Sequence, residues 1–181
     1  MRIVFCLLLF GLFACEPAPP NQDAIQQEIK GLESDIRNNP TILDTGKALK
    51  VVDLYLQFQR LYPKDSLSPE YLFKAADVSR GTGRFEQALH LLKSFEMAYP
   101  AHPRRAVCVF LQGYIYQNDL SSFALADQAY QRFLENFPNH PLAPEARNMQ
   151  AMMQIPEAEL MDRFRSGKGL SQDSPDSSQT P

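Results

Sequence analysis

One punctuation mark recurs along this sequence and constrains the fold more than any other feature. "FQRLYP" ends at Pro63, "FEMAYP" at Pro100 and "FLENFP" at Pro138, so the prolines stand 37 and 38 residues apart. Proline has no N–H to give a helix and disfavours helix in the residue before it, so each copy reads as a helix stop. Other positions fall into register on the prolines. Five residues before them stand Phe58, Phe95 and Phe133, one before stand Tyr62, Tyr99 and Phe137, and eight before stand Tyr55, Leu92 and Tyr130. Twelve before are Val51, Ala88 and Ala126, seventeen before are Gly46, Gly83 and Ser121, and thirteen after are Ala76, Gly113 and Ala151. Large apolar residues align with large and small with small, at offsets that suit helical faces.

The spacing predicts helices over 21–37, 45–62, 69–81, 84–99, 103–118, 121–137 and 141–154, with a short capping helix at 156–164. The first carries one apolar stripe of Ile25, Ile29, Leu32 and Ile36, and Asn21 or Asp23 is placed to cap it. The fifth is apolar nearly all round, which predicts a central helix covered on two sides. In the first of two inter-helix turns fall Gly81–Gly83, and in the second 118–122; the second is one residue longer, which accounts for the change of period. After each stop the chain restarts with Pro69, Pro103 and Pro144 at or near a helix start, where a missing N–H costs little. Asp65, His102 and His140 hold one repeat position, two residues after the proline, and are expected to share a role in capping the turn.

Over residues 42–155 the pattern resembles the tetratricopeptide repeat, a helix–turn–helix unit of about 34 residues. The resemblance implies an all-α fold, a tetratricopeptide-like solenoid of helical hairpins with about three units. It implies that Ala76 faces Ala88 and Gly113 faces Ala126 where helix backbones approach closely. It also implies a concave partner-binding groove lined by first helices. The matching positions are Glu70, Phe73, Asp77 and Arg80, then Val107, Phe110, Tyr114 and Gln117, then Glu145, Asn148 and Met152. Phe73, Val107 and Phe110 also read as core; Asp77, Arg80, Tyr114 and Gln117 read as the exposed contacts.

Residues 1–14 read as a signal peptide: Arg2 precedes an apolar run too short to span a bilayer, which needs about 20 residues. "LFAC", ending at Cys15, resembles the bacterial lipobox, in which the cysteine is acylated after cleavage before it. Residues 15–21 then read as a tether, 22–165 as the repeat domain and 166–181 as a disordered tail, polar and rich in Ser and Pro. With Cys6 in the signal and Cys15 in the anchor, only Cys108 remains, among apolar neighbours, as a packing residue. On an acylated cysteine, repeats of this form look like the BamD-type outer-membrane assembly lipoproteins, and equally like the C-terminal repeat domain of the YbgF type. The implied place is the bacterial envelope, facing the periplasm and held by lipid, with the outer membrane as the default.

A net charge of −3 without a basic face argues against a nucleic-acid partner. The three histidines form no ligand cluster of the size a zinc site needs, "GTGR" at 81–84 is a turn and no phosphate loop, and no nucleophile elbow fits an all-helical chain. The expectation is a non-enzyme without cofactor or metal that binds a protein or peptide. Self-association as a structural lipoprotein is the second reading, and an accessory that binds cell-wall glycan the third.

Overall fold

The computed structural model describes residues 21–38, 44–154 and 165, and the described residues hold seven α-helices and no strand. They are α1 (Gln22–Asn38), α2 (Thr45–Leu61), α3 (Ser68–Gly81), α4 (Phe85–Ala98), α5 (Arg105–Tyr114), α6 (Phe123–Asn136) and α7 (Ala143–Gln154). Each packs on its neighbours in chain order. Apart from the C-terminal end of α5, the expected boundaries hold to within two residues. The expected signal, the tether up to residue 20, the capping helix at 156–164 and the tail fall outside the described residues.

The three stops share one geometry. Tyr62, Tyr99 and Phe137 leave the helix with φ between −126° and −136° and ψ between 53° and 60°. Each keeps a last hydrogen bond, its N–H donating to the carbonyl of Phe58, Phe95 or Phe133 at 2.8–2.9 Å. Next, the N–H of Asp65, His102 and His140 donates back to the aromatic residue's carbonyl at 3.0–3.1 Å. The side chains of those three then accept from the backbone N–H two residues on: Leu67 to Asp65 Oδ1 at 2.8 Å, Arg104 to His102 Nδ1 and Leu142 to His140 Nδ1 at 3.1 Å. This is the shared capping role, a side chain imitating a backbone turn. Both imidazoles also stand edge-on to the buried phenylalanine of their unit, with centroids 5.3 Å and 5.6 Å away.

Two apolar clusters make the core, and α5 belongs to both. Cys108 of α5, with Ile115 just past its end, joins the cluster built from α1 to α4. Ala106, Val109 and Phe110 join the one built with α6 and α7. The fifth helix is thus covered on two sides. Ile25 and Ile29 of α1 are buried while Leu32 and Ile36 are half-buried, so the stripe meets the core along its length. Asn21 caps the helix, its Oδ1 accepting from the Asp23 N–H at 3.3 Å.

Glu33 fastens α1 to the next two helices. It accepts from the Tyr55 hydroxyl of α2 at 2.6 Å and pairs with Lys74 of α3 at 2.9 Å. Burial alone would raise its pKa, but the hydrogen bonds from Tyr55 and Lys74 and the charges of Lys74 and Arg37 outweigh it, and the net shift is downward. A carboxylate with a lowered folded pKa contributes stability above its unfolded value, about 4.3, and loses it as pH falls through the folded value. Glu33→Gln is therefore expected to lower the denaturation midpoint at pH 7, and the gap to wild type should narrow as the pH drops below that unfolded value. Chemical denaturation across an acid series measures this.

The extra residue of the second period has a definite place. α5 passes directly into one π-helical turn, Ile115–Asp119, so the expected α-helix to residue 118 ends at Tyr114. A π-turn is what a helix forms when it absorbs one additional residue. The register is recovered by Ser121, whose φ of 50° repeats the 76° of Gly83 at the equivalent position. Gly46, the third residue aligned with these two, lies inside α2 instead. At Gly113 the close approach is to Tyr130: a Cβ built there would fall 2.6 Å from Cε1 of its ring. The absent side chain makes room for a buried aromatic ring.

Candidate functional site

Side-chain contacts join α3 to α5 and the residues flanking it, and most of the expected groove residues on them are engaged within the fold. Glu70 pairs with Arg104 at 3.1 Å, and the Arg104 guanidinium lies 4.8 Å from the ring centroid of half-buried Phe73. Arg80 reaches across to Asp119 of the π-turn, Nε to Oδ2 at 2.6 Å, and stacks 4.7 Å from the Tyr114 ring. Gln117 accepts from the Tyr130 hydroxyl at 3.0 Å. Phe73, Asp77 and Arg80 line one hollow with Leu111 and Ile115; at about 10 Å³ it has room for roughly one water. Asp77 is exposed on its rim and Val107 is half-buried.

Phe110 is a correction to the groove. It is 7% exposed and packs its ring against Tyr130 and Phe133, with centroids 5.5 Å and 5.6 Å away. On α5 both flanks are covered, so a position that lines a surface in a helix with one free side is taken into the second cluster. Glu145, Asn148 and Met152 are exposed on α7. Glu145 is close enough to matter at Tyr130, whose phenol is pushed up by burial first and then by Tyr114 and Glu145. Cys15 lies outside the described residues.

A second surface feature lies over the other flank of α5. An open cleft of about 370 Å³ runs between α4 and α6, lined by Lys93, Tyr116, Leu125, Gln128 and Arg132 with Gln112 in its floor. Gln112 is buried, and its amide is satisfied. It donates to the Glu96 carboxylate and to the Cys108 carbonyl at 3.2 Å, and accepts from Arg132 Nη2 at 2.8 Å. Arg132 stands 3.5 Å from Glu96, so one polar cluster joins α4, α5 and α6. Leu125 in its lining is 45% exposed, and Phe123, two residues earlier in the chain, is 56% exposed. Sequence reading missed this cleft. The signal lay in the repeat alignment: Ala75, Gln87 and Ser94 of one unit become Gln112, Leu125 and Arg132 in the next.

Cys108 is fully buried, and burial, with the charge of Glu96 adding to it, pushes its thiol up to about 12. Thiolate is the reactive form. In a chain without residues 1–14 and carrying Cys15→Ser, an aromatic disulfide reagent at pH 8 is expected to label Cys108 only after denaturant unfolds the protein. Rapid labelling of the native chain would contradict the burial.

Among the described residues no group of three His, Cys, Asp or Glu side chains is arranged to hold a metal ion, and no helix is long and apolar enough to cross a membrane. Models of known protein families and curated proteins give no match to this chain.

Proposed function

We propose that this chain is a lipid-anchored adaptor of the cell envelope, built as a tetratricopeptide-like solenoid and holding a protein partner on its repeat surface. The observation that carries the reading is the turn found in triplicate, with the same caps, hydrogen bonds and buried phenylalanine each time. Units repeated so closely stack into an extended surface, which is how helical repeats present a binding face. The lipobox-like "LFAC" supplies the anchor at Cys15. The resemblance to BamD-type lipoproteins favours outer-membrane assembly as the setting; that to the YbgF type favours coordination of cell-wall synthesis with division.

On the α3–α5–α7 side the partner meets Asp77, Val107, Tyr114, Asn148 and Met152. Phe110 supports this face from beneath. Exposed Phe123, and Leu125 in the open cleft, favour the second reading, self-association as a structural lipoprotein, because large exposed apolar side chains suit a protein contact.

A photo-cross-linking residue placed in cells at Asp77, at Asn148 and at Gln128 tests the face. The proposal expects one partner polypeptide captured from the first two positions. Capture of that partner from Gln128 alone moves the site to the α4–α6 cleft. Adducts that contain only a second copy of this chain replace the adaptor with the self-associating form.

A further inference from the structure

The path of the chain fixes which edge of the fold lies next to the anchor. α1 begins at Gln22, and the Gln22 amide donates to Asp65 of the α2–α3 turn at 2.7 Å. That turn touches the next one: the Tyr99 hydroxyl donates to the Pro63 carbonyl at 3.3 Å. The start of α5, just after the α4–α5 turn, touches the α6–α7 turn, where the Arg105 guanidinium lies 5.4 Å from the Phe137 ring centroid. The start of α1 and the three proline turns therefore form one continuous edge. The opposite edge carries the α3–α4 turn and the π-turn, joined by Arg80 and Asp119. Helices of 14 residues, such as α3 and α4, set the two edges about 20 Å apart at 1.5 Å per residue.

We propose that the proline-turn edge rests on the lipid surface and that the π-turn edge points away from it. This rests on the reading of Cys15 as acylated. From Cys15 to Gln22 the chain spans at most about 25 Å even fully extended, so the edge where α1 begins stays within that distance of the bilayer. The edge also has the chemistry of an interfacial contact. Met97 is 76% exposed and Leu61 is 37% exposed, both at the ends of helices that run into proline turns. Arg60 and Lys64 are exposed beside Leu61, and among the described residues neither has a carboxylate partner. Of the edge's carboxylates, Asp65 is engaged with Gln22 and the Leu67 N–H and Glu70 with Arg104, while Asp23 and Glu145 are exposed at the starts of α1 and α7. Exposed apolar groups flanked by unpaired cations match the boundary of an anionic bilayer. Phe123 and Leu125, at the start of α6, then stand on the far side, clear of lipid and open to protein.

The test uses the full-length lipoprotein purified from membranes and reconstituted into vesicles of phosphatidylethanolamine and phosphatidylglycerol. Single fluorophores are attached through Lys64→Cys or Asn139→Cys on the proline-turn edge, and through Gly81→Cys or Asn118→Cys on the other. Buried Cys108 stays unlabelled. With nitroxide on the lipid headgroups, quenching at Lys64→Cys and Asn139→Cys is expected to exceed that at Gly81→Cys and Asn118→Cys several-fold. Equal quenching, or stronger quenching at Gly81→Cys and Asn118→Cys, overturns the edge assignment while the anchor stands. Strong quenching at Lys64→Cys alone overturns it for the C-terminal half. If the intact mass shows no acyl chains on Cys15, the anchor itself fails and the assignment with it.

Discussion

Phe95→Ala is expected to remove about 3–5 kcal/mol of stability, the usual cost of deleting a fully buried phenylalanine. Phe95 has no exposed surface, and its ring meets those of Phe73, Tyr99 and His102 at centroid distances of 6.3, 5.4 and 5.3 Å. It therefore packs onto its own unit through Phe73 and onto the exit turn through the other two. A domain of this size holds about 5–15 kcal/mol in all, so one truncation takes much of the total. Met97, two residues on, is 76% exposed and serves as the control; Met97→Ala is expected to stay within about 0.5 kcal/mol of wild type. Denaturant midpoints read both. A small effect at Phe95 would mean that the repeated phenylalanine does not pin the units together.

The second large effect is at Gly113. Gly113→Ala puts a methyl group 2.6 Å from the Tyr130 ring, closer than real contacts allow. The ring has little freedom to move aside: it is fully buried and its hydroxyl is bonded to Gln117 at 3.0 Å. Overpacking of this kind costs about 1–3 kcal/mol. The preceding unit suggests the remedy, since it carries Ala76 and Leu92 at the same two repeat positions. Tyr130→Leu alone is expected to destabilise by leaving space and an unpaired Gln117. Together with Gly113→Ala it should cost less than the sum of the two, by more than the roughly 0.5 kcal/mol within which independent sites add. A double-mutant cycle in denaturant measures the coupling, and strict additivity would show that the two positions do not share that space.

These two residues also mark how far the sequence could be read. The stop at Phe95–Tyr99–Pro100 was legible because proline and aromatic spacing act locally, on the last turn of one helix. The capping by His102 and His140 was legible for the same reason: its partner is two residues away. Double coverage of α5 followed from its apolar circumference. The period of 38 announced one extra residue before Ser121, but an insertion can lengthen a loop or widen a helical turn. Only packing, with Asp119 held by Arg80 and Gln117 by Tyr130, selects the π-turn. The groove faced a similar limit. The family resemblance implied a face, yet Arg80 and Asp119 are 39 residues apart, and no repeat position says that such residues will satisfy each other. Phe110 was drawn inward by α6, and the α4–α6 cleft arises from three substitutions that meet only when the helices pack.

The adaptor reading joins a tether to a binding surface, and one measurement tests both together. Tagged full-length protein is cross-linked in cells, and what co-purifies is identified by mass spectrometry, beside a Cys15→Ala strain. The account predicts one enriched envelope protein that fades when Cys15 is replaced. Equal capture of that protein without Cys15, or capture of this chain alone, would contradict it.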